Sequence, residues 1–229
     1  MDFFSFFAIK PQEISQNCIV CQNYDLSLFM SAGGKIHNGL FVKTIQTKNA
    51  TIIGLKNNFA AGDAVFLLRD TACRNIFLFG ACGVFGGIKI GSAIAVERAY
   101  NLESFSTMAQ SLDNKTADFE YFSSSKTITD NFCLKNPELD IIKTNSACVG
   151  SLFLESKLEK FFAKNNIGAV DMESSIIFCA SNLAQIPAAC FMYASDKVGG
   201  QPNVLTDTQK ARISSTRKSL ASSLKSFLK

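Results

Sequence analysis

The chain has 229 residues, 47% of them hydrophobic, which suffices for one α/β domain with a filled core over residues 1–229. Its formal charge of +4 is spread thinly, and Lys and Arg form no dense block or aromatic-interleaved stripe, so nucleic acid is not an expected partner. Residues 1–7 are apolar but brief, carry Asp2 and lack a basic flank, and no run is long enough for a bilayer; the expected location is the cytoplasm, with no membrane partner.

From the N-terminus, residues 18–48 alternate apolar and turn-rich segments, consistent with short strands. Of eight cysteines only Cys18 and Cys21 form a C-x-x-C, and His37 is the sole histidine, so a four-ligand zinc site finds no support. If Ile19 and Val20 lie in a strand, thiols three apart point to opposite faces, and buried reduced cysteines are expected. His37 falls in the turn-rich residues 33–39, where an exposed loop histidine is expected.

Residues 50–55 read as a strand and residues 60–73 as a helix with Val65, Leu68 and Ala72 on one face. Residues 76–79 form a continuous apolar run, as in a strand buried on both faces. Strand, helix and strand in succession predict a right-handed parallel crossover. Residues 80–91 carry repeated glycines and read as a loop. A dinucleotide loop must enter a helix, whereas this one leads into the β-rich residues 92–96, so NAD is rejected. The glycines permit close approach of a ligand to backbone N–H groups, with a plain tight turn as the alternative.

Residues 103–137 are polar and read as a surface excursion with room for a short hairpin. An apolar rhythm resumes over residues 141–149. Residues 152–165 predict one helix with Leu154, Leu158, Phe161 and Phe162 at helical spacing and Glu155 and Glu159 on another face. A short apolar strand ends on Val170-Asp171, and the helix after it runs to about Gln185, where Pro187 prevents continuation. Residues 188–194 read as a buried strand ending on Ser195-Asp196. Glu173 and Asp196 thus stand at the carboxyl ends of apolar strands, where open α/β sheets form their ligand crevice. The plainer alternative is a capping Glu and a turn Asp. The C-terminal segment is helical from about Leu205, with Ile213, Leu220, Leu224, Phe227 and Leu228 on one stripe.

Val170-Asp171-Met172-Glu173-Ser174 and Tyr193-Ala194-Ser195-Asp196 resemble the Val-Glu-Met-Glu-Ala and Ser-Asp signatures of the nucleoside phosphorylase and nucleosidase superfamily. Gly80-Ala81-Cys82-Gly83 resembles the Gly-Ser-Cys-Gly of its hexameric purine nucleoside phosphorylases. The three blocks occur in order and cover most of residues 50–229, while the first fifty residues align with nothing. The resemblance implies an α/β fold with a mixed central β-sheet flanked by helices. It also implies cleavage of the N-glycosidic bond of purine nucleosides in a homo-oligomer, a dimer or trimer of dimers. No cofactor is implied beyond phosphate as a possible co-substrate.

The roles it implies are specific. Glu173 binds the ribose 2′- and 3′-hydroxyls and stabilises the cationic sugar, while Met172 forms the floor beneath it. Asp196 protonates the departing base, helped by Arg212, for which a solvated helix Arg is the alternative. Phe153 stacks on the base, or is one more core phenylalanine, and Ala81, Cys82, Gly83 and Ser195 line the pocket. The phosphorylases place an Arg and a Ser on phosphate where this chain has Leu78 and Ala81, so water is favoured over phosphate as the nucleophile. A non-catalytic nucleoside- or base-binding relative is the alternative.

Overall fold

Strand β5 (Asn75–Val84) is the axis of the molecule, because it has three strand partners. In this computed structural model, which describes residues 2–30, 34–104, 108–109, 119–199 and 205–229, β10 (Ala188–Lys197) runs parallel to β5 along one edge. The other edge is shared: β1 (Asn17–Gln22) pairs in parallel with Asn75 to Phe79, and β9 (Ile167–Asp171) pairs antiparallel at Gly83 and Val84. Beyond β1 lie β4 (Thr51–Leu55, parallel to it), β3 (Val42–Gln46) and β2 (Ile36–Asn38), the last two antiparallel. Beyond β9 lie β8 (Ile142–Val149) and β6 (Ala93–Leu102), with β7 (Tyr121–Ser123) on β6. Because β6 also pairs with β10, the strands β5, β9, β8, β6 and β10 close on themselves. The sheet is mixed, and helices cover it on both sides.

The apolar run predicted for residues 76–79 is buried on both faces. Ile76 and Leu78 join a core with α1 (Phe3–Phe7), α2 (Ala60–Phe66) and α6 (Ser174–Ala184). Phe77 and Phe79 join the opposite core with Phe132 of α3 (Lys126–Lys135) and Leu220 and Leu224 of α7 (Asp207–Phe227). Each fully buried phenylalanine of this kind contributes roughly 1.5–3 kcal/mol. Cys18 and Cys21 are buried, unpaired and in opposite cores, the divergence that strand geometry predicts. The C-terminal stripe packs as expected, with Thr206 and Gln209 forming a capping box at the start of α7.

Several expectations are corrected. Gly80-Ala81-Cys82-Gly83 is strand rather than loop, since pairing with β10 carries β5 on to Val84. β6 extends ten residues, well beyond residues 92–96, because β8 and β10 flank it. The helix expected over 60–73 ends at Phe66 and tightens to a 3-10 turn, Leu67–Asp70. The helix expected over 152–165 is two short pieces, α4 (Leu152–Glu155) and α5 (Glu159–Lys164). His37 is half-buried on β2, where it pairs with Thr44, rather than in an exposed loop. Within the polar excursion, residues 105–107 and 110–118 lie outside the described residues; the rest contributes β7 and α3. Among the described residues no helix is long and apolar enough to cross a membrane.

Candidate functional site

The carboxyl ends of β1, β5, β8, β9 and β10 converge on a cavity of about 480 Å³. β5 lines it with Ala81, Cys82 and Gly83, β10 with Ser195 and Asp196, and β9 with Val170 and Asp171 followed by Met172 and Glu173. Gln22 from the end of β1, Tyr24, Asn58, Val149, Leu152 and Glu155 complete the wall. None of these lining residues is Lys, Arg or His, while four carry carboxyl groups.

The Asp-Met-Glu junction works by a division of labour. Asp171 is buried and its Oδ1 accepts the backbone N–H groups of Glu173 (2.8 Å) and Ser174 (2.6 Å), while its Oδ2 accepts the Ser174 hydroxyl (2.6 Å). It therefore satisfies the free N–H groups at the start of α6. Glu173 makes no capping bond, so its side chain is left for the cavity and the capping alternative for Glu173 is removed. Only 8% of Glu173 is exposed, and burial pushes its carboxyl up to about 8, with the neighbouring Asp171 charge acting in the same direction. A hydrogen bond from Gln22 Nε2 (2.6 Å) works against that rise, and the same amide nitrogen donates to Asn58 Oδ1 (2.8 Å).

Asp196 owes its position to an irregularity. Along the β10–β5 ladder Ala194 faces Cys82 and Asp196 faces Gly83, so Ser195 is an extra residue and β10 bulges there. A bulge re-aims the side chain that follows it. The Ser195 hydroxyl lies 3.2 Å from Cys82 O and 2.5 Å from Asp196 Oδ1, pinning the bulge and the carboxylate together. Gly83 leaves room for that carboxylate: a Cβ there would lie 3.3 Å from Asp196 Oδ2. Cys82 is buried, its thiol pushed well up by burial, and Sγ lies 3.8 Å from Tyr193 O.

The remaining expected residues are placed less uniformly. Met172, 38% exposed, lines the cavity. Phe153 is not in its wall: it is 78% exposed at the surface, between Leu152 and the buried Leu154, so the core-phenylalanine alternative is also removed. Arg212 is not in the wall either. It is exposed on α7 with its stem against Gly91, whose N–H bonds Ala194 O at 2.8 Å. Leu78 is buried in the core and Ala81 offers a methyl group, so neither provides an anion ligand at the positions in question.

Four polar wall residues outside the signature blocks escaped the sequence reading. Gln22 stands at the carboxyl end of a parallel strand, the same signal that marked Asp196, but its strand could not be registered. Tyr24 follows it, over a fully buried Asp25 that accepts from Arg217 Nε at 2.5 Å and Tyr193 Oη at 3.2 Å. That pair ties α7 to the segment carrying Gln22 and Tyr24. Asn58 belongs to the turn before α2 and had no distinguishing pattern. Glu155, read as facing away with Glu159, is 9% exposed and turned inward, because the helix breaks after one turn. Burial raises its carboxyl to about 7, and the Asp196 charge adds to the rise.

The fold is shared with solved structures of low sequence identity. A Campylobacter jejuni 5′-methylthioadenosine/S-adenosylhomocysteine nucleosidase superposes with a TM-score of 0.70 at 12% identity, covering 92% of this chain and 96% of the other. Uridine phosphorylase from Vibrio fischeri gives 0.71 at 16% identity over 94% and 91%. Futalosine hydrolase of Helicobacter pylori gives 0.70 at 11% identity over 93% and 97%. A search of curated proteins found no match. The family model of the phosphorylase superfamily matches residues 53–229, well over half of the protein, and the chain therefore belongs to that superfamily, whose members act on N-glycosidic bonds.

Proposed function

We propose that the protein cleaves the N-glycosidic bond of purine nucleosides, with water rather than phosphate as the nucleophile. The observation that carries this reading is the composition of the cavity wall. Glu173 and Asp196 face one space, and among the described residues no Lys, Arg or His lines it. A phosphate monoanion or dianion binds where cations and N–H groups converge, and a wall of carboxyl groups opposes it. Water carries no such requirement. The same wall favours an uncharged nucleoside over a nucleotide.

The chemistry needs two forms of help. As the bond from ribose C1′ to the purine nitrogen lengthens, positive charge develops on the sugar and negative charge on the base. Glu173 answers the first. Burial raises its carboxyl in the free protein; ribose hydroxyls that donate to it favour the ionised form, so its proton leaves to solvent as the nucleoside binds and the carboxylate then stabilises the cationic sugar. Met172 packs beneath the sugar. Asp196 answers the second by delivering a proton to the departing base. Arg212 and Phe153 keep the roles implied for them only if they reach the cavity with substrate bound, since both lie outside its wall in this structure.

A cytoplasmic homo-oligomer belongs to the same reading. Phe59 (95% exposed), Leu152 and Phe153 flank the cavity residues Asn58 and Glu155, and apolar side chains exposed around a site rim are suited to a second copy of the chain. The test of function is an incubation of the purified protein with inosine, adenosine and methylthioadenosine, followed by chromatography of the free bases. Release of a purine base from at least one supports the reading. No release from any of the three rejects it in favour of a nucleoside- or base-binding role.

A further inference from the structure

We propose that Glu155 is the proton partner of Asp196, the two carboxyls of one cavity wall holding a proton between them and passing it to the departing base. This rests on the hydrolytic reading of the same site. Three observations converge on it. Glu155 and Asp196 line the same cavity, one from α4 and the other from the bulge of β10. Glu155 is 9% exposed although it belongs to a helix of a single turn, which has no need of a buried carboxyl for its own stability. Gly199, three residues beyond Asp196, also lies against Ser156, the residue after Glu155, where a Cβ on Gly199 would be 3.3 Å from Ser156 Cβ, so the two carboxyl-bearing segments pack together.

The surroundings decide which state the pair adopts. Among the described residues the other ionisable groups on this wall are Tyr24, Cys82, Asp171 and Glu173, and Glu159 approaches Gly199 from α5. None is a cation. Two carboxylates sharing such a space repel each other, and the cheaper state keeps one of them protonated. Burial and the Asp196 charge both hold the proton on Glu155 up to about pH 7. Asp196 is the half-buried member beside the bulge and the one placed to meet a substrate; Glu155 is the deeper one. The proton kept on Glu155 reaches the base through Asp196.

The step balances. The C1′–N bond breaks with its electron pair going to the base, and the single proton of the pair passes from Glu155 to Asp196 and from Asp196 to that base. A water oxygen forms the new bond to C1′, and the proton it releases returns to Glu155. Nucleoside and water become free base and ribose, and the carboxyl pair ends as it began. Glu155 acts through Asp196 and is a positioning and proton-supplying residue.

Two measurements test this. In the first, the pH dependence of kcat is compared between the native protein and Glu155→Gln, whose fold is checked by circular dichroism. The native profile should fall on its alkaline side as Glu155 loses its proton. Glu155→Gln should lower kcat by roughly ten- to a hundred-fold, remove that fall and leave KM little changed, with Glu155→Asp restoring part of the loss. An unchanged alkaline limb in Glu155→Gln overturns the proposal even where turnover drops. The second needs no substrate: carboxyl carbon-13 resonances of glutamate-labelled protein are titrated, with Glu155 assigned by its disappearance in Glu155→Gln. It should titrate near 7 and move down in Asp196→Asn. Titration in the ordinary glutamate range, or indifference to Asp196→Asn, overturns the pairing. A native protein that releases no base overturns instead the functional reading, which the carbon titration does not depend on.

Discussion

Gln22 Nε2 lies 2.6 Å from Glu173 Oε1, joining the end of β1 to a signature 151 residues further along the chain. The amide holds one oxygen of a carboxyl that lines the cavity. Replacing Gln22 by Leu removes a donor from a buried carboxyl, a loss worth roughly 1–3 kcal/mol, or roughly a 5- to 150-fold fall in kcat/KM. Steady-state kinetics on Gln22→Leu and Gln22→Asn separate the donor from the shape. Equal activity in all three proteins would show that the contact is incidental.

Asp196→Asn keeps the bulge and the shape of the side chain but removes its proton. Turnover should fall by roughly two to four orders of magnitude with an unaltered circular dichroism spectrum. Glu173→Gln should raise KM and lower kcat together, since it touches both sugar binding and charge development. Native rates in either variant would return the two residues to turn and surface roles.

The pH dependence of stability follows from two carboxyls raised above the ordinary glutamate value of 4.5, Glu173 to about 8 and Glu155 to about 7. In the folded protein they hold protons that the unfolded chain gives up, so their contribution is fully present below pH 4.5. It is lost as pH rises through about 7 and then about 8. The melting temperature should therefore decline on the alkaline side, and Glu173→Gln should flatten that decline and be the more stable protein there. A melting curve for Glu173→Gln that tracks the native one at every pH would show that Glu173 ionises normally.

How far the sequence reached depended on where local pattern and tertiary pairing agreed. The apolar run at residues 76–79, the divergence of Cys18 and Cys21 and the stripe of α7 are local patterns that packing leaves intact. Gly80 and Gly83 suggest a turn locally, yet β10 supplies a partner for each step and the strand continues through them. Glu155 was misplaced because helical periodicity was extended past residues 156–158, where the helix actually stops. Strand β1 is short and buried on both faces from Cys18 to Cys21, so it shows no alternation, and Gln22 and Tyr24 at and just beyond its end could not be tied to the signatures that identify the site.

Oligomerisation should be visible in solution. Light scattering should report at least twice the 24.9 kDa of one chain, and Phe59→Asp should shift the protein toward the monomer by placing a charge on the exposed rim. A native monomer with full activity would show that the site is complete within one chain.

The dependence of base release on inorganic phosphate tests the account most directly. The rate with the best nucleoside should change less than about twofold between phosphate-free buffer and saturating phosphate, with free ribose as the sugar product, because the described wall residues include carboxyls and amides but no cationic side chain to hold phosphate. An absolute requirement for phosphate, with ribose 1-phosphate formed in step with the base, would contradict it.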